Sequence, residues 1–266
     1  MTQKKCSAPG RRTRIGVFDS GIGGLTVYKT LQKKYPFCDF IYYADTAHVP
    51  YGGKSGKTII AYTEKIVSFL LRKKADLIVC ACNTASAVAL ESISRNCPVP
   101  VHGVIAAAVE HAAVFSRVAV IGTKLTIKSG VYEKQLKKIN KKIRVKSMPA
   151  PLFVPLVEEG WSGTDVAEKV AGIYLAPIRR MRPEALIMGC THYPILRREI
   201  ADFMGPKTLL VDSSSLAEAI SGSVRICTGT GKSSFYVSDD PGHFVKMAQK
   251  IMKVSAGRAQ LCTEFL

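Results

Sequence analysis

No apolar run in this 266-residue chain approaches the roughly 18 uninterrupted residues that a membrane-spanning helix needs. Met1–Arg14 is not expected to act as a secretory signal: it carries five basic residues and no acid, with no apolar stretch behind them. Metal-ligand spacing is absent, since Cys80 and Cys82 form a C-x-C and no C-x-x-C or H-x-x-x-H completes a set. The eight cysteines do not read as a disulfide framework in a chain this long. Cys80, Cys82 and Cys190 sit in or at hydrophobic strands, as reduced thiols of a cytoplasmic protein do. Cys6, Cys38, Cys97, Cys227 and Cys262 have no informative context. Two apparent phosphate loops fail on length. Gly52 to Gly56 before Lys57-Thr58 spans one residue too few, and Gly231-Lys232-Ser233 would need glycine where Ile226 stands.

What remains is an ordinary globular composition, 47% hydrophobic and 22% charged, arranged as alternating strands and helices. Strands are expected at 14–18, 40–43, 77–81 and 99–104, with helices at 23–33, 57–73 and 85–94. The pattern then restarts. Strands at 117–122, 145–147, 185–188 and 208–211 alternate with helices at 129–139 and 164–181 and a helix from Ser213. Ser234–Val237 reads as a strand and Pro241–Val254 as a final helix; Pro149-Ala150-Pro151 and Pro155 read as a linker. Alternation at these lengths predicts an α/β fold of two pseudo-symmetric, doubly wound domains with mostly parallel sheets. One domain takes residues 14–104 plus 213–266 and the other 105–212, with the active site in the cleft between them. Residues 1–13 form a basic, flexible extension.

Two matching sentences carry the chemistry. Asp76-Leu77-Ile78-Val79-Cys80-Ala81-Cys82-Asn83-Thr84 is a buried strand ending in a cysteine and polar groups. Glu184-Ala185-Leu186-Ile187-Met188-Gly189-Cys190-Thr191-His192 has the same form without a gap. Open α/β sheets place ligands at the carboxyl ends of their strands. Thiols of two such strands, facing one another, can take a proton from one side of a carbon and return one to the other. Hydroxyl, amide and imidazole donors beside each thiol suit a substrate carboxylate. Cys80, two residues earlier on the same strand, reads as core. Asp19-Ser20-Gly21-Ile22-Gly23-Gly24 opens a helix after the first strand, where amides meet an anion and Asp19 meets an ammonium.

These motifs, with Asp45-Thr46, Pro50-Tyr51-Gly52, Gly122-Thr123, Leu156-Val157-Glu158 and Tyr193-Pro194, resemble the glutamate racemase family, in order from about Ile15 to Val254. Its wider relatives are cofactor-independent aspartate and hydantoin racemases and arylmalonate decarboxylase. The resemblance implies inversion at the α-carbon of glutamate with no cofactor and no metal. Cys190 would serve L-glutamate and Cys82 D-glutamate, assisted by His192 and Asp19 respectively, with Glu158 near His192. Substrate contacts would fall on Asp19, Ser20, Tyr51, Gly52, Asn83, Thr84, Thr123, Thr191 and His192. It further implies a homodimer, and D-glutamate feeding peptidoglycan synthesis and so cell shape. His48 departs from the resemblance, standing where the family often has arginine.

Charge suggests other readings. The net +18 comes from 38 basic against 20 acidic residues. Lys124–Lys146 alone holds nine basic residues and one acid, Glu133. A solvated helix face accounts for this segment; a nucleic-acid or gyrase contact has only the positive charge behind it. The alternatives are therefore an aspartate or other small-acid racemase, or a basic nucleic-acid-binding protein on a vestigial racemase fold.

Overall fold

The structure, a computed structural model, describes residues 11–264. Ten strands are seen in it: β1 Arg14–Asp19, β2 Asp39–Ala44, β3 Leu77–Cys80, β4 Val101–Gly103, β5 Arg117–Gly122, β6 Arg144–Pro149, β7 Ala185–Gly189, β8 Leu209–Val211, β9 Ser233–Val237 and β10 Gln260–Leu261. They form two sheets, in the orders β10-β9-β2-β1-β3-β4 and β6-β5-β7-β8. Every pairing in both is parallel. Parallel strands are covered on both faces, which is why β1, β3, β5 and β7 are near-continuous apolar runs, buried along almost their whole length.

The first four strands of each series are wound alike. β2-β1-β3-β4 in one sheet has the order of β6-β5-β7-β8 in the other. The chain accordingly divides into two compact units. One runs to Val104 and resumes at Leu216; the other spans Ile105–Ser215. The return comes at Leu216 and not at 213 because the Ser213–Ser215 turn packs on the helix Ile105–Ala112. That helix was not anticipated. Its sequence, Ile-Ala-Ala-Ala-Val-Glu-His-Ala, has no strong polar face to mark it.

In the first unit an aromatic cluster explains why the C-terminal segment returns. Tyr28 meets Phe40 and Phe235 edge-on, with ring centroids 5.4 and 5.3 Å apart. Phe235 lies on β9 and Phe244 on the helix Pro241–Lys250, and both are buried. Edge-to-face contacts of this kind add to the burial of apolar area. The unit also takes in the chain before β1. Thr13 is 4% exposed; its carbonyl accepts the Asp39 amide at 3.0 Å, and its hydroxyl accepts the Arg225 amide at 3.1 Å. Arg11 pairs with Asp76. Residues 11–13 thus pack on the unit instead of extending from it; residues 1–10 of the expected basic extension lie outside the described residues.

Three other segments differ from the sequence expectation. The helix foreseen over 85–94 is two, Asn83–Val88 and Leu90–Asn96, with the turn at Ala89. The helix foreseen from Ser129 starts at Val131, after Gly130 in the left-handed region at φ 67°, and Lys124–Lys128 forms a separate turn. The proline-rich linker does not exist as such, since Pro149 closes β6 and Pro155 sits in the helix Phe153–Glu158.

Gly189 marks the tightest packing in the second unit. A Cβ there would lie 2.8 Å from the Ile121 carbonyl oxygen and 3.0 Å from the Tyr132 ring. The carbonyl belongs to β5 and cannot yield without moving the sheet, and the ring belongs to the buried Tyr132 of the helix Val131–Ile139. Gly189→Ala is therefore expected to cost about 1–3 kcal/mol of stability, read as a lowered urea midpoint at unchanged slope.

Candidate active site

Both sheets change winding direction at one place, between β1 and β3 in the first and between β5 and β7 in the second. Segments leaving neighbouring strands there run to opposite faces, and the crevice outside the strand ends is where such sheets bind ligands. Asp19, Ser20, Cys82, Asn83 and Thr84 emerge at the first of these places and Thr123, Cys190, Thr191 and His192 at the second, while Tyr51 and Gly52 follow β2 and Glu158 follows β6.

In the first unit, the Ala81 amide donates to the Phe18 carbonyl at 2.9 Å, so the ends of β1 and β3 lie side by side. Asp19 is fully buried, and its carboxylate accepts the Gly21 amide at 3.0 Å. Gly24 allows the helix Leu25–Lys34 to close over it; a Cβ at Gly24 would come within 2.4 Å of the Asp19 Cβ. Cys82 is the residue that caps the helix Asn83–Val88, its Sγ 3.9 Å from the Ser20 hydroxyl. Amides of the first helical turn favour negative charge at that position. Asn83 and Thr84 follow it at 2% and 3% exposure. Tyr51 is buried, and its hydroxyl donates to Asp45 at 2.6 Å. Burial and then the Asp45 charge push the Tyr51 hydroxyl well up, with smaller contributions from Cys82 and Asp19. Gly52 is partly exposed in the same turn, Tyr51–Gly53. Cys80 is wholly buried. Its thiol is pushed well up, chiefly by burial, and it contacts the Cys82 carbonyl. It is core.

In the second unit Gly122 and Gly189 are paired in register, so Thr123 and Cys190 leave adjacent strand ends. Thr123 caps the helix Lys124–Lys128, accepting the Thr126 amide at 3.3 Å. Cys190, Thr191 and His192 are 7%, 4% and 3% exposed. His192 bridges two partners: Nδ1 lies 3.8 Å from the Cys190 sulfur and Nε2 3.1 Å from Glu158 Oε1. Burial alone would depress this imidazole. Hydrogen bonds to Cys190 and Glu158, and their negative charges, outweigh it and raise the pKa to about 10. The histidine can therefore hold a proton beside the sulfur at neutral pH, with Glu158 fixing its ring.

The structure thus gathers Asp19, Ser20, Tyr51, Gly52, Cys82, Asn83 and Thr84 on one unit and Thr123, Glu158, Cys190, Thr191 and His192 on the other. Sequence reasoning gave no role to Asp45, Tyr42 or Ser238. Tyr42 is fully buried and its hydroxyl donates to the Gly21 carbonyl at 2.9 Å, bracing the turn after Asp19. Asp45 ends the apolar run of β2 as Asp19 ends that of β1, a signal that was available. Among the described residues no group of three His, Cys, Asp or Glu side chains is arranged to hold a metal ion.

Comparison with known proteins bears on this arrangement. A profile of the Asp/Glu/hydantoin racemases matches residues 29–217. The chain belongs to this family. It is 43% identical to the glutamate racemase of Geobacter metallireducens over 248 residues, 90% of this chain and 92% of that protein. The crystal structure of glutamate racemase from Francisella tularensis in complex with D-glutamate superposes with a TM-score of 0.89 at 36% identity, covering 94% of this chain and 97% of that one. Glutamate racemase from Thermus thermophilus, in complex with β-chloro-D-alanine, gives a TM-score of 0.87 at 37% identity, with 95% and 98% covered.

The raised His192 pKa has a sign that can be tested. The folded state favours the imidazolium, so its contribution to stability is complete below the unfolded value near 6.5 and fades as pH rises through about 10. In nuclear magnetic resonance titrations the His192 ring should show no titration between pH 6 and 8. Glu158→Gln should bring its midpoint down towards neutrality. A wild-type midpoint near 6.5 would contradict the bridge.

Proposed function

We propose that this enzyme interconverts L-glutamate and D-glutamate by proton transfer between two cysteines. The observation that carries the reading is the repeated site, a thiol at the same winding point of two like-wound sheets, each with its own polar partners. Near-full-length likeness to glutamate racemases, one of them holding D-glutamate, supports glutamate as the substrate.

Racemisation by two bases needs a thiolate on one face of the α-carbon and a thiol on the other. The α-hydrogen is very weakly acidic, so the base must be strong and close. In this reading Cys190 removes the hydrogen of L-glutamate and Cys82 delivers one; the reverse reaction exchanges the roles. The protonated His192 stabilises the Cys190 thiolate and Glu158 orients it, while Asp19 and Ser20 serve Cys82. Thr84, Asn83, Thr123 and Thr191 supply donors to the carboxylates, with Tyr51 and Gly52 closing the first unit's half. The thiols perform both proton transfers, and no pyridoxal phosphate or metal is required. Low exposure of both thiols limits access of water, which would otherwise quench the carbanion.

The product would feed peptidoglycan synthesis, and hence cell shape, in the cytoplasm. No described helix is long and apolar enough to cross a membrane. A homodimer is the assembly we favour. Val166 and Ile173 lie seven residues apart on one face of the helix Asp165–Arg179, at 42% and 72% exposure, and Trp161 before it is 48% exposed. Such a face gains by being covered.

Circular dichroism of the purified protein with L-glutamate tests the activity directly. Loss of optical activity should survive exhaustive dialysis and EDTA. A pyridoxal absorbance band, a need for added zinc, or equal turnover of L-aspartate would overturn the reading. Cys82→Ser and Cys190→Ser should each abolish racemisation. With a β-halogenated glutamate, whose elimination needs one deprotonation only, Cys82→Ser should still process the L-form and Cys190→Ser the D-form. Equal loss towards both enantiomers in folded protein would show that the thiols do not divide the faces. Thr84→Ala or Thr191→Ala should mainly weaken substrate affinity, by about 1–2 kcal/mol for a lost charged hydrogen bond.

A further inference from the structure

The buried carboxylate of Asp45 is the hub of a network that the proton-transfer chemistry does not use. Its side chain is 4% exposed. It accepts the Tyr51 hydroxyl at 2.6 Å, the Ser238 hydroxyl at 2.9 Å and the His48 ring nitrogen Nδ1, which lies 2.8 and 3.0 Å from its two oxygens. An ionised carboxylate only accepts, so His48 Nδ1 carries a hydrogen in this arrangement. Three donors nearly saturate the group, and His48 is the only one of them able to carry positive charge. The ring of His48 also stacks on Tyr62, with centroids 4.0 Å apart and planes at 26°. Tyr62 belongs to the helix Gly56–Arg72, and the Lys54 ammonium lies 6.0 Å from its ring.

Other bonds tie the same turn to the end of β9. Ser238 Oγ accepts the Ala47 amide at 2.9 Å. The Thr46 hydroxyl donates to the Asp239 carbonyl at 2.6 Å and accepts the Asp239 amide at 2.8 Å. These bonds hold residues 46 and 47. Beyond them the segment reaches Tyr51 through Val49 and Pro50. His48 and Tyr51 each join it to both the buried carboxylate and Tyr62 of the neighbouring helix, and His48 makes the closer ring contact, stacked at 4.0 Å against 6.1 Å for the tilted Tyr51 ring.

We infer that His48 is a positioning residue for the Tyr51–Gly52 turn, clamping it between the Asp45 carboxylate and the Tyr62 ring so that the turn meets substrate preorganised. The inference rests on the reading of Tyr51 and Gly52 as glutamate contacts. It predicts an effect on binding that is separate from the proton transfers at Cys82 and Cys190. Preorganisation lowers the ordering cost that would otherwise be taken from affinity.

Steady-state racemisation of L-glutamate by wild type, His48→Ala and His48→Arg tests this. Arginine is the informative replacement because its planar, multi-donor group can both bond a carboxylate and stack on an aromatic ring. His48→Ala should raise KM roughly 5- to 20-fold with kcat within about twofold, and His48→Arg should restore KM to within about threefold of wild type. In a Tyr51→Phe background the effect of His48→Ala on KM should shrink to less than about twofold, as expected of residues acting through one hub. Unchanged KM in His48→Ala, a proportional fall in kcat alone, or an undiminished effect in the Tyr51→Phe background would overturn the inference. Should His48→Ala fail to fold, His48→Gln replaces it, keeping a donor without the ring, with the same expected direction. Amide hydrogen exchange without substrate gives an independent arm. The Lys54 amide, bonded to the Tyr51 carbonyl at 3.1 Å, should exchange at least about fivefold faster in His48→Ala and recover in His48→Arg. Equal exchange in all three would count against the clamp whatever the substrate. A wild type inactive on glutamate but showing that exchange pattern would remove the proposed substrate and leave the clamp standing.

Discussion

The thiols of both units depend on where the sheets reverse their winding. In each unit the chain lays down a first strand, steps to one side for the second, then crosses back for the third. The loops after the first and third strands must part company, since they feed elements on opposite faces. The crevice this leaves outside the strand ends is where side chains of such a sheet can meet a ligand. Asp19 and Cys82 leave one such point, Thr123 and Cys190 the other. Glycine makes the second approach close enough to place Thr123 beside Cys190.

The two halves share this frame but manage charge differently. On the second unit a histidine with a strongly favoured proton stands between sulfur and carboxylate. On the first, the buried Asp19 carboxylate and the Ser20 hydroxyl stand at the same strand ends as Cys82, and Asp45 meets two hydroxyls and one imidazole. The chain carries 38 lysines and arginines, yet none bonds Asp45 among the described residues. A fixed cation against a sulfur would favour its thiolate but weaken it as a base, and the α-hydrogen of an amino acid demands a strong one. A histidine can exist with or without its second ring hydrogen, which a guanidinium in a protein cannot.

Much of this was legible in the chain. β5 was read to the residue, because Arg117–Gly122 is an uninterrupted apolar run bounded by charge and glycine. The two cysteine sentences were legible because strand, thiol and polar donors are consecutive. What escaped was non-local. Ser238 bonds Asp45 across 193 residues of sequence, and no local pattern marks that pairing. The break at Ala89 escaped because alanine suits either side of it, and Pro155 was misjudged because proline is tolerated in the first turn of a helix. Candidate residues at the strand ends were thus visible, and those that hold them from other strands were not.

The second unit is an insertion within the first, entered after Val104 and left before Leu216. A chain emerging from the ribosome therefore exposes β1 to β4 long before β9 arrives to cover the edge of β2. The later half in sequence is the earlier one able to complete its sheet. Until the last fifty residues are made, Tyr28 and Tyr42 lack Phe235 and Phe244, and an apolar strand edge stands open to any neighbour. Crowded nascent chains of this protein are most vulnerable to mispairing during that interval, when one sheet is complete and the other still has an open edge.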